Sequence, residues 1–169
     1  MSATRKGSRV FAIAVASLST TNAFALDKRP ILTLDLAKKM TAACEARAQQ
    51  QGWKMNIAVV DNGANLVAFE RMDGAFLGSI YVAQHKAITS VDFPVASRSI
   101  TEAAYGKDQQ PPRAPGLASI PGIVLIPGGL PVMTADKTLI GAIGVSGSTS
   151  DNDEQCAQAG LDAVKGELE

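Results

Sequence analysis

The segment from Gly128 to Ser150, GGLPVMTADKTLIGAIGVSGSTS, constrains this chain more than any other. Two short apolar runs, residues 130–133 and 139–145, flank Thr134, Ala135, Asp136 and Lys137, a small polar set that reads as a hairpin turn. The second run contains Gly141 and Gly144, and glycine inside a strand marks a place where another segment or a ligand approaches the backbone. It then breaks into Ser146, Gly147, Ser148, Thr149 and Ser150 before a helix begins. Free N–H groups at such a helix start can hold an anion. Asp151, Asp153 and Glu154 oppose that, because they repel an anion and can cap the same groups, so capping and close packing are the expected roles. No lysine stands where a P-loop needs one.

The first 25 residues have the anatomy of a secretory signal peptide. Arg5, Lys6 and Arg9 give a basic start, residues 10–18 an apolar core, and Ala23-Phe24-Ala25 a small-x-small cleavage site. That core is far shorter than the ~20 residues of a membrane span, so no stable membrane insertion is expected after cleavage. Residues 26–169 remain as one domain, with a periplasmic or secreted address. The leader takes three of the 16 basic residues and none of the 16 acidic ones, so the mature chain is acidic by three. Clustered Lys and Arg, the footprint of nucleic-acid binding, are missing from its sequence. Cys44 and Cys156 enter an oxidising compartment, where they either pair or remain as small buried hydrophobes.

Along the mature chain, Thr33 is a helix N-cap, and apolar residues recur at helical spacing until Gly52. Residues 56–60 and 65–69 flank Asp61-Asn62-Gly63-Ala64, a strong hairpin signal. Residues 78–91 read as a second helix closed by Pro94, and 97–105 as a third. A proline-rich loop, 106–122, is long enough to suggest a lid or binding loop. Residues 123–126 read as a third strand, the Gly-rich hairpin adds two more, and 151–168 form a closing helix. The order α-ββ-αα-βββ-α implies an α+β fold, a profilin-like antiparallel five-stranded sheet flanked by helices.

His85 is the only histidine, which excludes two- and three-histidine metal sites. A single histidine can still be an axial haem ligand, or simply a hydrogen-bonded surface residue. Lys86 follows it and shares a helix face with Ser79, either to meet an acidic ligand or to lie in solvent. Arg71 and Asp73, before the second helix, can pair with each other or bind a carboxylate.

Val59-Val60-Asp61, Gly63, Leu66-Val67-Ala68-Phe69, Arg71-Met72-Asp73-Gly74-Ala75, Ser79, Ala83, Lys86-Ala87 and Thr89 form one ordered signature. Gly128-Gly129, Pro131, the run Gly141 to Gly147, Asp153, Gln155-Cys156 and Ala159-Gly160 form another. Together they resemble the GlcG/HbpS-type haem-binding (haem-degrading-like) family over residues 32–164. Where relatives commonly read Thr-Ala, this chain has Thr89-Ser90. The resemblance implies a small α+β domain that assembles into homo-oligomers, often octamers. It implies binding of haem or another tetrapyrrole, with links to iron handling and redox sensing. Iron ligands within the family are threonine or histidine, which makes His85 and Thr89 the metal-ligand candidates. Arg71, Lys86 or Arg98 would then balance the propionates. The alternative is an enzyme acting on a small carboxylated metabolite, with Arg71 on the carboxylate and Asp73 or Lys86 moving a proton.

Overall fold

The computed structural model describes residues 28–169, so the expected leader lies outside the described residues. Helix α1, Leu34–Gln51, starts at Thr33, whose hydroxyl accepts from Leu36 N–H, and stops at Gly52 in the left-handed region (φ 71°). Strands β1, Asn56–Asp61, and β2, Leu66–Arg71, form the first hairpin. Its turn departs from the Asn-Gly expectation, because the positive φ falls on Ala64 (63°) and not on Asn62 or Gly63. The Asp61 carboxylate organises the loop instead, accepting from the Gly63 and Asn65 N–H groups at 2.9 Å each. The second hairpin repeats the device with Lys137 (φ 65°) between β3, Gly129–Met133, and β4, Leu139–Ser146.

Helices α2, Gly78–Asp92, and α3, Ser97–Tyr105, lie where the periodicity put them. Helix α4, Ser150–Val164, is capped by the Thr149 hydroxyl, and a short 3-10 turn follows it. The described sheet is antiparallel with order β2-β1-β4-β3, which makes four strands and not the expected five. The missing one is residues 123–126. That segment is apolar and rich in β-branched residues, but side chains of the helices engage two of its backbone groups. Val124 N–H donates to the Thr89 hydroxyl, and the Ser97 hydroxyl donates to the Ile126 carbonyl. A chain whose polar groups are met this way has no ladder to join.

The sheet sits between two helical layers. Ile57, Val59, Ile143 and Val145 face α1 and α4, with Met40, Cys44, Ala48, Cys156 and Val164 completing that core. The alternate residues, Val60 and Ala142, face α2 at Ala87 and Val91. The α2 side is built from small residues, and a Cβ on Gly144 would lie 2.1 Å from the Ala83 carbonyl oxygen. Gly144 and Gly129 therefore serve contact with α2, whereas a Cβ on Gly141 would meet the Val60 carbonyl of β1 at 2.2 Å. Cys44 and Cys156 are joined in a disulfide that ties α1 to α4, with Cα atoms 4.6 Å apart and neither residue exposed.

Candidate functional site

The small-residue contact between α2 and β4 fixes which side chains of the helix point outward. Ser79, Ala83, Lys86, Ala87 and Ser90 turn inward, while Leu77, just before the helix, and Tyr81 are 71% and 59% exposed. His85, half-buried, continues that outward row at four-residue spacing. Its Nδ1 lies 2.9 Å from the Gly122 carbonyl oxygen. Its ring is stacked on Tyr81, with centroids 3.9 Å apart and planes 30° from parallel. The proline-rich loop thus crosses α2 as a strap, anchored at His85 through Gly122 and at Thr89 through Val124.

The other four site candidates stand differently. Thr89 is fully buried; its hydroxyl donates to the His85 carbonyl at 2.7 Å and accepts from Val124 N–H. It builds the site from below and presents no oxygen to the surface. Lys86 corrects both of its expectations, since it is neither on a solvated face nor at the surface to meet an acidic ligand. It has no exposed area, and its ammonium donates to Asp153 Oδ2 at 2.7 Å and to the Val145 carbonyl at 2.9 Å. Asp153 Oδ1 in turn accepts from Ser148 N–H. Burial pushes the Lys86 amine down and the Asp153 carboxyl up, while the attraction between them works the other way on both. Gly128 and Gly129 leave room for this lysine, because Cβ atoms there would lie 2.9 Å from its Nζ and 2.2 Å from its carbonyl oxygen. The acidic start of α4 thus does more than cap: its Asp153 is the counter-ion of a buried cation.

Arg98 is engaged by Asp151 at 2.6 Å and by Glu154, on the α3–α4 side. Arg71 is exposed and donates to the Ala75 carbonyl at 3.0 Å, not to Asp73. That places its guanidinium beside the entry to α2, with Gly78 about 10 Å from His85 along the helix at ~1.5 Å per residue. Of the five candidates, the structure brings His85 and Thr89 together, while Arg71 stands at the start of α2.

Two features escaped the sequence reading. Tyr81 was unmarked, although its position one turn before a lone histidine was a usable signal. Glu45 of α1 and Glu70 of β2 form a carboxyl pair, and burial first, then Glu45, holds the Glu70 carboxyl above its ordinary range. They flank a groove of ≈470 Å³ lined by Leu34, Lys38, Thr41, Phe69 and Glu70. It belongs to the α1 side of the sheet, away from His85. Among the described residues no cluster of three or more His, Cys, Asp or Glu is placed to hold a metal ion, so a ligand iron would need its other donors from elsewhere. No described helix is long and apolar enough to cross a membrane.

Residues 32–162 match the family described as "Haem degrading protein HbpS-like". Protein GlcG of Escherichia coli K12 is 35% identical over 116 residues, covering 69% of this chain and 81% of GlcG. The crystal structure of HbpS superposes with a TM-score of 0.74 at 34% identity, covering 82% of this chain and 94% of that one. The crystal structure of a PduOC:haem complex superposes with a TM-score of 0.69 at 25% identity, covering 79% and 95%. A match spanning nearly the whole described domain, with the same helix and sheet arrangement in solved relatives, shows that this chain belongs to the HbpS-like family.

Proposed function

We propose that this protein is an exported haem-binding protein that takes haem on the outer face of α2, where His85 would hold the iron. One observation carries this reading: the 2.9 Å contact between His85 Nδ1 and the Gly122 carbonyl. A carbonyl oxygen only accepts, so Nδ1 holds the proton and Nε2 keeps its lone pair. An imidazole anchored through one nitrogen with the other free is how proteins prepare histidine for a metal. The donor set fits haem better than a bare ion, since one protein nitrogen suffices when the macrocycle brings its own four nitrogens.

The surroundings support the same reading. Leu77 and Tyr81 give the helix an exposed apolar edge against which a flat macrocycle can lie. Arg71, exposed at the entry to α2, spends one donor on the Ala75 carbonyl and has others in its guanidinium fork to meet a propionate. Thr89 and Lys86 act from beneath, holding the strap and the helix. Arg98 contributes to the α3–α4 contact instead. Haem held there would supply a redox-active iron, which suits a role in iron handling or redox sensing.

Export is supported by the basic, apolar and small-residue pattern of residues 1–25 and by the Cys44–Cys156 disulfide, which persists in oxidising compartments. The family resemblance adds assembly into a homo-oligomer, to be measured by light scattering with and without haem. Titration of the mature protein with hemin tests the main proposal: a saturable red shift of the Soret band at micromolar protein is expected. An unshifted spectrum overturns it. Metal-free protoporphyrin is the control, and it is expected to bind more weakly because His85 has no iron to ligate.

A further inference from the structure

We infer that Tyr81 is a positioning residue for His85: its ring, packed on the imidazole face, sets the direction in which Nε2 points. The inference rests on the haem reading above. His85 has two restraints at right angles. The Gly122 carbonyl, 2.9 Å from Nδ1, holds the ring at its edge, in its own plane. A single hydrogen bond leaves the ring able to pivot about its Cβ–Cγ bond, and that pivot swings Nε2 and carries Nδ1 off the Gly122 oxygen. Tyr81, with its centroid 3.9 Å away and its plane tilted by 30°, blocks the pivot from one face.

Among the described residues, neither hydrophobic core includes Tyr81. It is 59% exposed. It also precedes His85 by four residues on one helix, the spacing at which side chains meet. A tyrosine that contributes to neither core cluster yet packs its tilted ring on the sole histidine has its consequence at that histidine. Two further features follow. The tyrosine presents a rigid apolar shelf beside His85, which favours a planar aromatic ligand over a hydrated ion. The stacking face, and not the hydroxyl, performs this role.

The test uses the untagged mature chain, whose one histidine gives one imidazole signal set. Long-range 1H–15N spectra at about pH 8.5, where an ordinary imidazole is neutral, read the tautomer without any ligand. Wild type and Tyr81→Phe are expected to show a protonated Nδ1 and a bare Nε2. Tyr81→Leu is expected to shift towards an average of the two tautomers. Hemin affinity is expected to be the same in wild type and Tyr81→Phe and roughly two- to tenfold weaker in Tyr81→Leu, the factor that an aromatic pair of about 0.5–1.5 kcal/mol converts to. Unchanged melting curves would confirm that Tyr81→Leu remains folded. A Tyr81→Leu protein with the wild-type tautomer and wild-type hemin affinity overturns the inference, as does a Tyr81→Phe protein that behaves like Tyr81→Leu. If wild type takes no hemin, the haem reading fails by itself, and the ligand-free spectra still decide whether Tyr81 holds the ring.

Discussion

Breaking the Cys44–Cys156 bond should cost this domain a large part of its stability. The bridge joins residues 112 apart, so in the unfolded chain it closes almost the whole domain into a loop. The chain-entropy relation for a loop of that length gives about 5 kcal/mol at 25 °C. Domains of this size are stable by only about 5–15 kcal/mol, so the loss is a third or more of the total. Both cysteines are fully buried between α1 and α4, so reduction should be slow in the native state and fast once the chain opens. Trp53, the only tryptophan, lies just beyond α1 and offers a fluorescence signal for unfolding. Urea titration of oxidised and reduced protein should show the midpoint falling by about 2–3 M, taking m near 2 kcal/mol/M. The reduced form should also have a somewhat steeper slope, because its unfolded ensemble is less confined. A difference below about 1 kcal/mol, with two free thiols verified in the reduced sample, would refute the reasoning. So would two titratable thiols in native protein recovered from an oxidising compartment.

Two further perturbations test the electrostatics. Lys86→Met leaves Asp153 as an unpaired buried carboxylate and should cost about 3–5 kcal/mol in urea unfolding; adding Asp153→Asn, which keeps an acceptor for Ser148 N–H, should recover more than half of that loss. Glu70→Gln should stabilise the fold at pH 7 by about 0.5 kcal/mol, because burial and Glu45 oppose its charge. The sign follows from linkage. A carboxyl raised above its unfolded value favours the fold below the ordinary glutamate range, and that contribution is lost as pH rises through the raised value. The gain from Glu70→Gln should therefore vanish near pH 4, and paired melting curves at the two pH values check it.

What the sequence disclosed was mostly local. Thr33, Gly52 and Pro94 act on their own neighbours, and the ends of α1 and the close of α2 follow from them, whereas the closing helix expected over 151–168 gives way to a 3-10 turn after Val164. Both hairpins were legible for the same reason, although the burden of positive φ fell on Ala64 and Lys137 instead of on the Asn-Gly pair. The five-strand expectation failed on residues 123–126, whose apolar run was read by composition alone. Their fate depends on the Thr89 and Ser97 hydroxyls, 35 and 29 residues away, which no local window contains.

The site divides along the same line. His85 stood out as the only histidine, but the carbonyl that orients it belongs to the strap, 37 residues later. Lys86 looked like a surface cation because its counter-ion is 67 residues distant. The small residues Ala83, Ala87 and Ser90 on adjacent turns and the Gly128-Gly129 pair were the signals of its burial. The two cysteines occupy inward positions of their helices, yet only the packing of α1 on α4 decides that they meet.

The central claim is that Nε2 of His85 meets the iron of a bound haem. Hemin titrated into wild type and into His85→Ala, followed at the Soret band, tests it most directly. The account predicts a saturable shift in wild type, and in the variant a spectrum close to that of free hemin with affinity at least tenfold weaker, about 1.4 kcal/mol. A His85→Ala protein that reproduces the wild-type band and affinity would contradict it.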